Sequence, residues 1–139
     1  MTAADILTHL KSLENENIKR VLLKHGAQEP FYGVKIEERK KIQKQVKKNY
    51  ALSLELFNSG ISDAMYLAGL IADEKQMTKA DLQHWAETAS WHLISECAVA
   101  WIAAESQYGW GLALEWINAG EARVANAGWT TLSHLVALK

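Results

Sequence analysis

Four residues near the middle of the chain have the types and spacing to do chemistry: Trp91, His92, Ser95 and Glu96. If the stretch Ser90 to Ser106, SWHLISECAVAWIAAES, is a helix, His92 and Glu96 stand one turn apart. So do Trp91 and Ser95. An imidazole beside a carboxylate is an acid–base pair or half of a metal site. Two groups do not make a metal centre, and a His–Glu pair at this spacing is commonly a structural hydrogen bond. No metal and no cofactor is therefore expected. A tryptophan that opens a helix can lay its indole against a sugar or a base; core packing is the competing reading. The histidines at 9, 25, 84, 92 and 134 are otherwise scattered. The chain has no phosphate-gripping glycine loop, no GxSxG elbow and no HExxH.

A second set of residues is cationic. Residues 35–49, KIEERKKIQKQVKKN, read as a helix with Ile42 and Val46 facing inward. Lys40, Lys41, Lys44, Lys47 and Lys48 spread over the other side, with Lys35 and Arg39 in the same run. Such a face suits phosphates. It also suits plain solvation, because acids at Glu37 and Glu38 and lysines later in the helix complement its dipole. Residues 1–48 hold eleven Lys/Arg and six Asp/Glu, whereas the remainder holds four and ten. The net charge of −1 therefore hides a basic end joined to an acidic one. That asymmetry points to an anionic partner met by part of the surface, not to binding by charge alone.

The elements that must position these groups are helical. The chain of 139 residues is long enough for one domain with a real core, and 49% of it is apolar. Pro30 is its only proline, which leaves few breakers after residue 34. Residues 3–12 and 16–25 read as two short helices separated by Asn15, the second ended by Gly26. QEPFYGV, from Gln28 to Val34, reads as a loop pinned by Phe31 and Tyr32. Ser90–Ser106 is apolar on nearly every side, so it is expected to be central and continuous, with Ser90 as N-cap. Thr78 with Asp81 forms a capping box for the helix before it. LSLELFNSG at 52–60 recurs as LALEWINAG at 112–120, each ending in an Asn and Gly suited to a helix C-cap. Ala68-Gly69 recurs as Ala127-Gly128, small residues that let helices approach closely. The repeat unit is two helices, at 51–73, 78–106 and 110–138, following N-terminal helices over 1–49. An α-solenoid is expected, with a compact orthogonal bundle as the competing architecture.

Of the six tryptophans, Trp101 and Trp116 are expected in the core. The last helix carries Val124, Trp129, Leu132, Leu135 and Val136 up to Lys139 with no polar closing segment. Self-association, or cover by further chain, is expected there. Cys97 is the only cysteine, so no internal disulfide forms; a buried thiol fits a reducing cytosol. MTAADILTHLKSLENE lacks a basic segment followed by an apolar run, and no stretch of about 18 apolar residues occurs. The cytoplasm is the expected compartment, with no membrane partner.

PFYGVKIEERKKI, LELFNSG, ADEKQMTKADLQHW and SWHLIS together resemble the DNA alkylation repair family, the HEAT-like-repeat DNA glycosylases related to AlkC and AlkD. The resemblance runs from about Phe31 onward. It implies an all-α fold, a right-handed α-α superhelix of HEAT-like repeats whose concave face tracks duplex DNA. It places helices 35–49, 62–73, 91–106 and 121–137 on that face. The implied activity is hydrolytic removal of N3- or N7-alkylated purines, in which protein groups stabilise positive charge growing on the deoxyribose. By position Trp91 matches the family tryptophan, and the carboxylate position falls on Ser95, with Glu96 and His92 beside it. Arg123 and Trp129 match further family residues. The implied DNA-contacting set is thus Lys35, Arg39, Lys40, Lys41, Lys44, Lys47, Lys48, Arg123 and Trp129. The alternatives are a non-catalytic binder of DNA or structured nucleic acid, and a helical-repeat scaffold for protein partners.

Overall fold

The computed structural model describes residues 1–137 and is helical throughout, with no strand among them. The end of the third expected pair, at residue 138, lies outside the described residues. In chain order the helices are α1 (Ala3–Ser12), α2 (Glu16–Lys24), α3 (Ile36–Val46), α4 (Tyr50–Asn58), α5 (Ser62–Ile71), α6 (Lys79–Thr88), α7 (His92–Ile94), α8 (Ala100–Glu105), α9 (Gly109–Trp116) and α10 (Ala122–Ala137). A π-helical turn, Ser95–Val99, joins α7 to α8, so residues 92–105 form one interrupted central helix.

Local chemistry sets most of the boundaries. Thr2 and Asp5 form a reciprocal capping box at α1, and Thr78 and Asp81 do the same at α6. Asn15 and Asn49 cap α2 and α4 through their side-chain oxygens. Gly26 and Gly60 adopt left-handed backbone just past α2 and α4. Gly120, the repeat partner of Gly60, is not among the left-handed residues, so the copied Asn-Gly ends its helix differently. The lysine-rich helix stops at Val46, three residues before the expected end. Lys47 swings to φ 60°, and Asn49 already caps α4.

α4 packs on α5, and α9 on α10. α3, α5, the central helix and α10 lie side by side in one row. Their starts are tied together by long-range hydrogen bonds. Asp63 of α5 accepts from the backbone N–H groups of Tyr32, at 2.5 Å, and Val34, at 3.0 Å, in the loop before α3. The hydroxyls of Ser62 and Ser90 meet at 2.7 Å. Arg123 of α10 donates to the carbonyl of Ala89. In the interior Phe57 stacks on Trp85, centroids 4.2 Å apart, and Leu10, Leu56, Leu67, Ile71, Leu82 and Trp116 are enclosed around them. Each such side chain contributes roughly 1.5–3 kcal/mol relative to exposure.

The two Ala-Gly copies do different jobs. At Gly69 an added Cβ would lie 2.8 Å from Ala98 Cα and Cβ, so this glycine brings α5 close to the central helix of the next pair. At Gly128 it would lie 2.7 Å from Ile117 N and Trp116 Cβ, so this one brings α10 close to its own hairpin partner, α9.

Candidate functional site

The central helix sorts the four chemistry-bearing residues into two sides. Trp91 is 6% exposed and Ser95 is 0% exposed. His92 is exposed and Glu96 half-buried. The one-turn pair that opens outward is therefore His92 with Glu96, while Trp91 with Ser95 faces inward. Neither Trp91 Nε1 nor Ser95 Oγ has a hydrogen-bond partner among the described residues. A hydroxyl sealed in this way cannot orient water at a sugar, which corrects the placement expected for Ser95. Trp91 meets His92 edge-on, centroids 4.9 Å apart, so its ring backs the imidazole. The helix begins at His92 with Trp91 in the N-cap position; Ser90 spends its hydroxyl on Ser62 and caps nothing.

The π turn decides what else shares the open side. Ala100 N–H bonds to Ser95 O, five residues back, instead of four. The extra residue rotates everything beyond Val99 by about 100° relative to an unbroken helix. Trp101 follows Ile94 by seven residues, a spacing that in a regular helix puts both on one face. Here Ile94 is buried and Trp101 is 47% exposed. The expectation of Trp101 in the core is thus overturned, and Trp116 alone of that pair is enclosed. The side carrying His92 and Glu96 continues through half-buried Cys97 to exposed Trp101 and Glu105.

Neighbouring helices of the row reach this side. Asn126 of α10 donates to Glu96 Oε2 at 3.4 Å. His134 of α10 stands edge-on to Trp101, centroids 5.9 Å apart. From α3, Arg39 lies 4.1 Å over the Tyr66 ring of α5. Arg39 is 9% exposed, and its Nε has no partner among the described residues. Burial pushes its pKa down, while Asp63, Tyr66 and Cys97 act to raise it. It is a packed cation between helices, not the free phosphate contact expected of it. Burial also raises the Cys97 thiol, with Glu96 adding to the effect, so Cys97 is a neutral thiol.

The remaining cations divide by their partners. Lys41 pairs with Glu38 at 3.1 Å, and Lys48 with Glu74 at 2.8 Å. Lys35, Lys40, Lys44 and Lys47 are exposed and make no ion pair among the described residues. Gln43 donates to Leu70 O of α5, which fixes how α3 is turned. Lys40 then lies about 100° round α3 from Arg39. Arg123 is bound to Ala89 O and Glu121, and it lines a cleft of about 430 Å³ with Gly26, Gln28, Ser90, Trp91 and His92. Trp129 is exposed on another part of α10, beside Leu132 and Val136, and does not join that cleft. No group of three or more metal-ligating side chains occurs among the described residues, and no helix there is long and apolar enough to cross a membrane.

Two residues of this arrangement, Asp63 and Asn126, were not singled out from sequence, and a third, Trp101, was expected in the core and not on the open side. Asp63 left a signal, an acid in the first turn of an otherwise apolar helix. Asn126 and Trp101 left none, because their roles depend on which helix lies opposite.

Comparison with known proteins fits this architecture. A model of the DNA alkylation repair enzyme family matches residues 6–135. An uncharacterized protein of Listeria innocua is 30% identical over 132 residues, covering 91% of this chain and 58% of its own length. One of Listeria monocytogenes is 29% identical over the same shares. A solved structure from a new family of proteins related to the HEAT-like repeat DNA glycosylases, with affinity for branched DNA structures, is 34% identical with a TM-score of 0.93. It covers all of this chain and 59% of its own. The chain thus spans about three-fifths of the length of these relatives. With a HEAT-like row of helices and a family match along nearly its whole length, the chain belongs to the DNA alkylation repair enzyme family.

Proposed function

We propose that this chain binds DNA along the open side of its row of helices, and binds branched or distorted DNA in preference to straight duplex. The observation that carries the reading is the set of unpaired lysines on α3, Lys35, Lys40, Lys44 and Lys47, in the same row as the open side of the central helix. These groups supply phosphate contacts, which set position and affinity but not sequence. The affinity of the solved relative for branched DNA supports the preference. Changing all four lysines to glutamate is expected to abolish measurable binding at moderate salt. For the unchanged protein, the logarithm of affinity should fall with the logarithm of salt by roughly 0.9 for each phosphate neutralised. Binding that ignores salt and survives the four changes would refute this reading.

A second reading, removal of alkylated purines, is favoured by Glu96. Glu96 is half-buried, lies one turn from exposed His92, and accepts from Asn126 at 3.4 Å. A carboxylate there can stabilise positive charge on a deoxyribose, which sealed Ser95 cannot. Release of 3-methyladenine or 7-methylguanine from methylated DNA tests it. If the reading holds, release exceeds the spontaneous rate, and Glu96→Gln lowers it about 100-fold or more. Release at the spontaneous rate with saturating protein leaves binding alone.

A further inference from the structure

We propose that Trp101, braced by His134, is a stacking platform for an unpaired nucleobase at a branch or strand end. The proposal deepens the DNA-binding reading above and rests on it. A large exposed indole is unusual on a helix whose neighbours are enclosed, and here the π turn puts it there. Trp101, Ala104, Glu105, His134 and Ala137 line a hollow of about 200 Å³. That is smaller than the roughly 300–1,000 Å³ of sites for whole small molecules, and suits a single ring system. His134 meets the indole at an interplanar angle of 87°, so the imidazole is not stacked parallel on the ring. Glu105 at the rim repels a phosphate, so the hollow favours the base over the backbone. The backbone instead finds its cations on α3.

The physical consequence is a preference for branches. In straight duplex every base face is covered by its neighbours, and an aromatic platform gains nothing. A branch point or a single strand leaves faces bare, and each base stacked on an aromatic ring strengthens binding substantially whatever its identity.

The test compares three DNAs by fluorescence anisotropy: a straight duplex, the same duplex with a single-stranded branch, and that branch with abasic sites in place of its bases. The third keeps the phosphates and removes the rings. The unchanged protein is expected to bind the base-bearing branch about 10-fold more tightly than the abasic one. Trp101→Ala should lose that 10-fold, leave affinity for straight duplex unchanged, and keep its thermal midpoint. Trp101→Phe should retain most of the preference, and a 2-aminopurine in the branch should be quenched by the unchanged protein but not by Trp101→Ala. Equal affinity for the base-bearing and abasic branches, or full affinity in Trp101→Ala, overturns the platform while leaving DNA binding intact. Failure of the unchanged protein to bind any of the three removes the DNA-binding reading, and the platform with it.

Discussion

Asp63→Ala is expected to destabilise the protein by about 3–5 kcal/mol, which corresponds to a fall in thermal midpoint of roughly 10–20 °C. Asp63 is 4% exposed, and its two oxygens accept the Tyr32 and Val34 N–H groups across 31 and 29 residues of chain. Hydrogen bonds to a buried carboxylate contribute about 1.5–3 kcal/mol each, and removing the acceptor strands both donors. The loop they hold positions Phe31 and Val34 in the core and launches α3. The nearest compensating charge for buried Arg39 goes too, since Asp63 is the largest influence opposing the burial of that guanidinium. Asp63→Asn keeps one oxygen acceptor and should cost about half as much. Urea unfolding of the two variants measures this. A loss below about 1 kcal/mol for the alanine variant would mean that the loop is held by its apolar contacts alone.

Two glycine-to-alanine changes, each inside a helix, are expected to have opposite signs. Gly128→Ala should destabilise by about 1–3 kcal/mol, because its new methyl would sit 2.7 Å from Ile117 N and Trp116 Cβ and 2.9 Å from Trp116 C. Two of those three atoms are backbone, which yields only if α9 and α10 move apart. Separation there would also disturb Trp116, whose indole donates to Gln83 Oε1 at 2.8 Å and so links α9 to α6. Gly111→Ala, in α9, meets nothing within 4 Å and should stabilise by about 0.5–1 kcal/mol through reduced freedom of the unfolded chain. Thermal unfolding of the two variants side by side is the measurement. A stabilised Gly128→Ala would show that the two helices have room to spare.

Much of the local structure was legible in the sequence. The capping boxes at Thr2 and Thr78 and the side-chain caps at Asn15 and Asn49 work within three residues, so type and spacing suffice to find Thr78–Asp81 and the boundary at Asn15. The helical periodicity of Ile42 and Val46, the repeated Leu-rich segments and the small residues at 68–69 and 127–128 are likewise patterns along the chain. The family resemblance rested on such segments, and the family match bears it out.

What the tertiary structure decided is which side each functional group faces. A helical wheel drawn through Ser90–Ser106 puts Trp101 beside Ile94, but the π turn rotates it into the open. The same wheel makes Trp91 and Ser95 as good a pair as His92 and Glu96; only the packing of neighbouring helices encloses the first pair and leaves His92 exposed and Glu96 half-buried. Arg39 looks like its neighbouring lysines until Tyr66 and Asp63 arrive from another helix. Caps and periodicity are short-range preferences written within one or two turns. The facing of a side chain is set by the burial of whole helix surfaces against partners distant in sequence, and a single extra residue in a backbone turn is enough to reverse it.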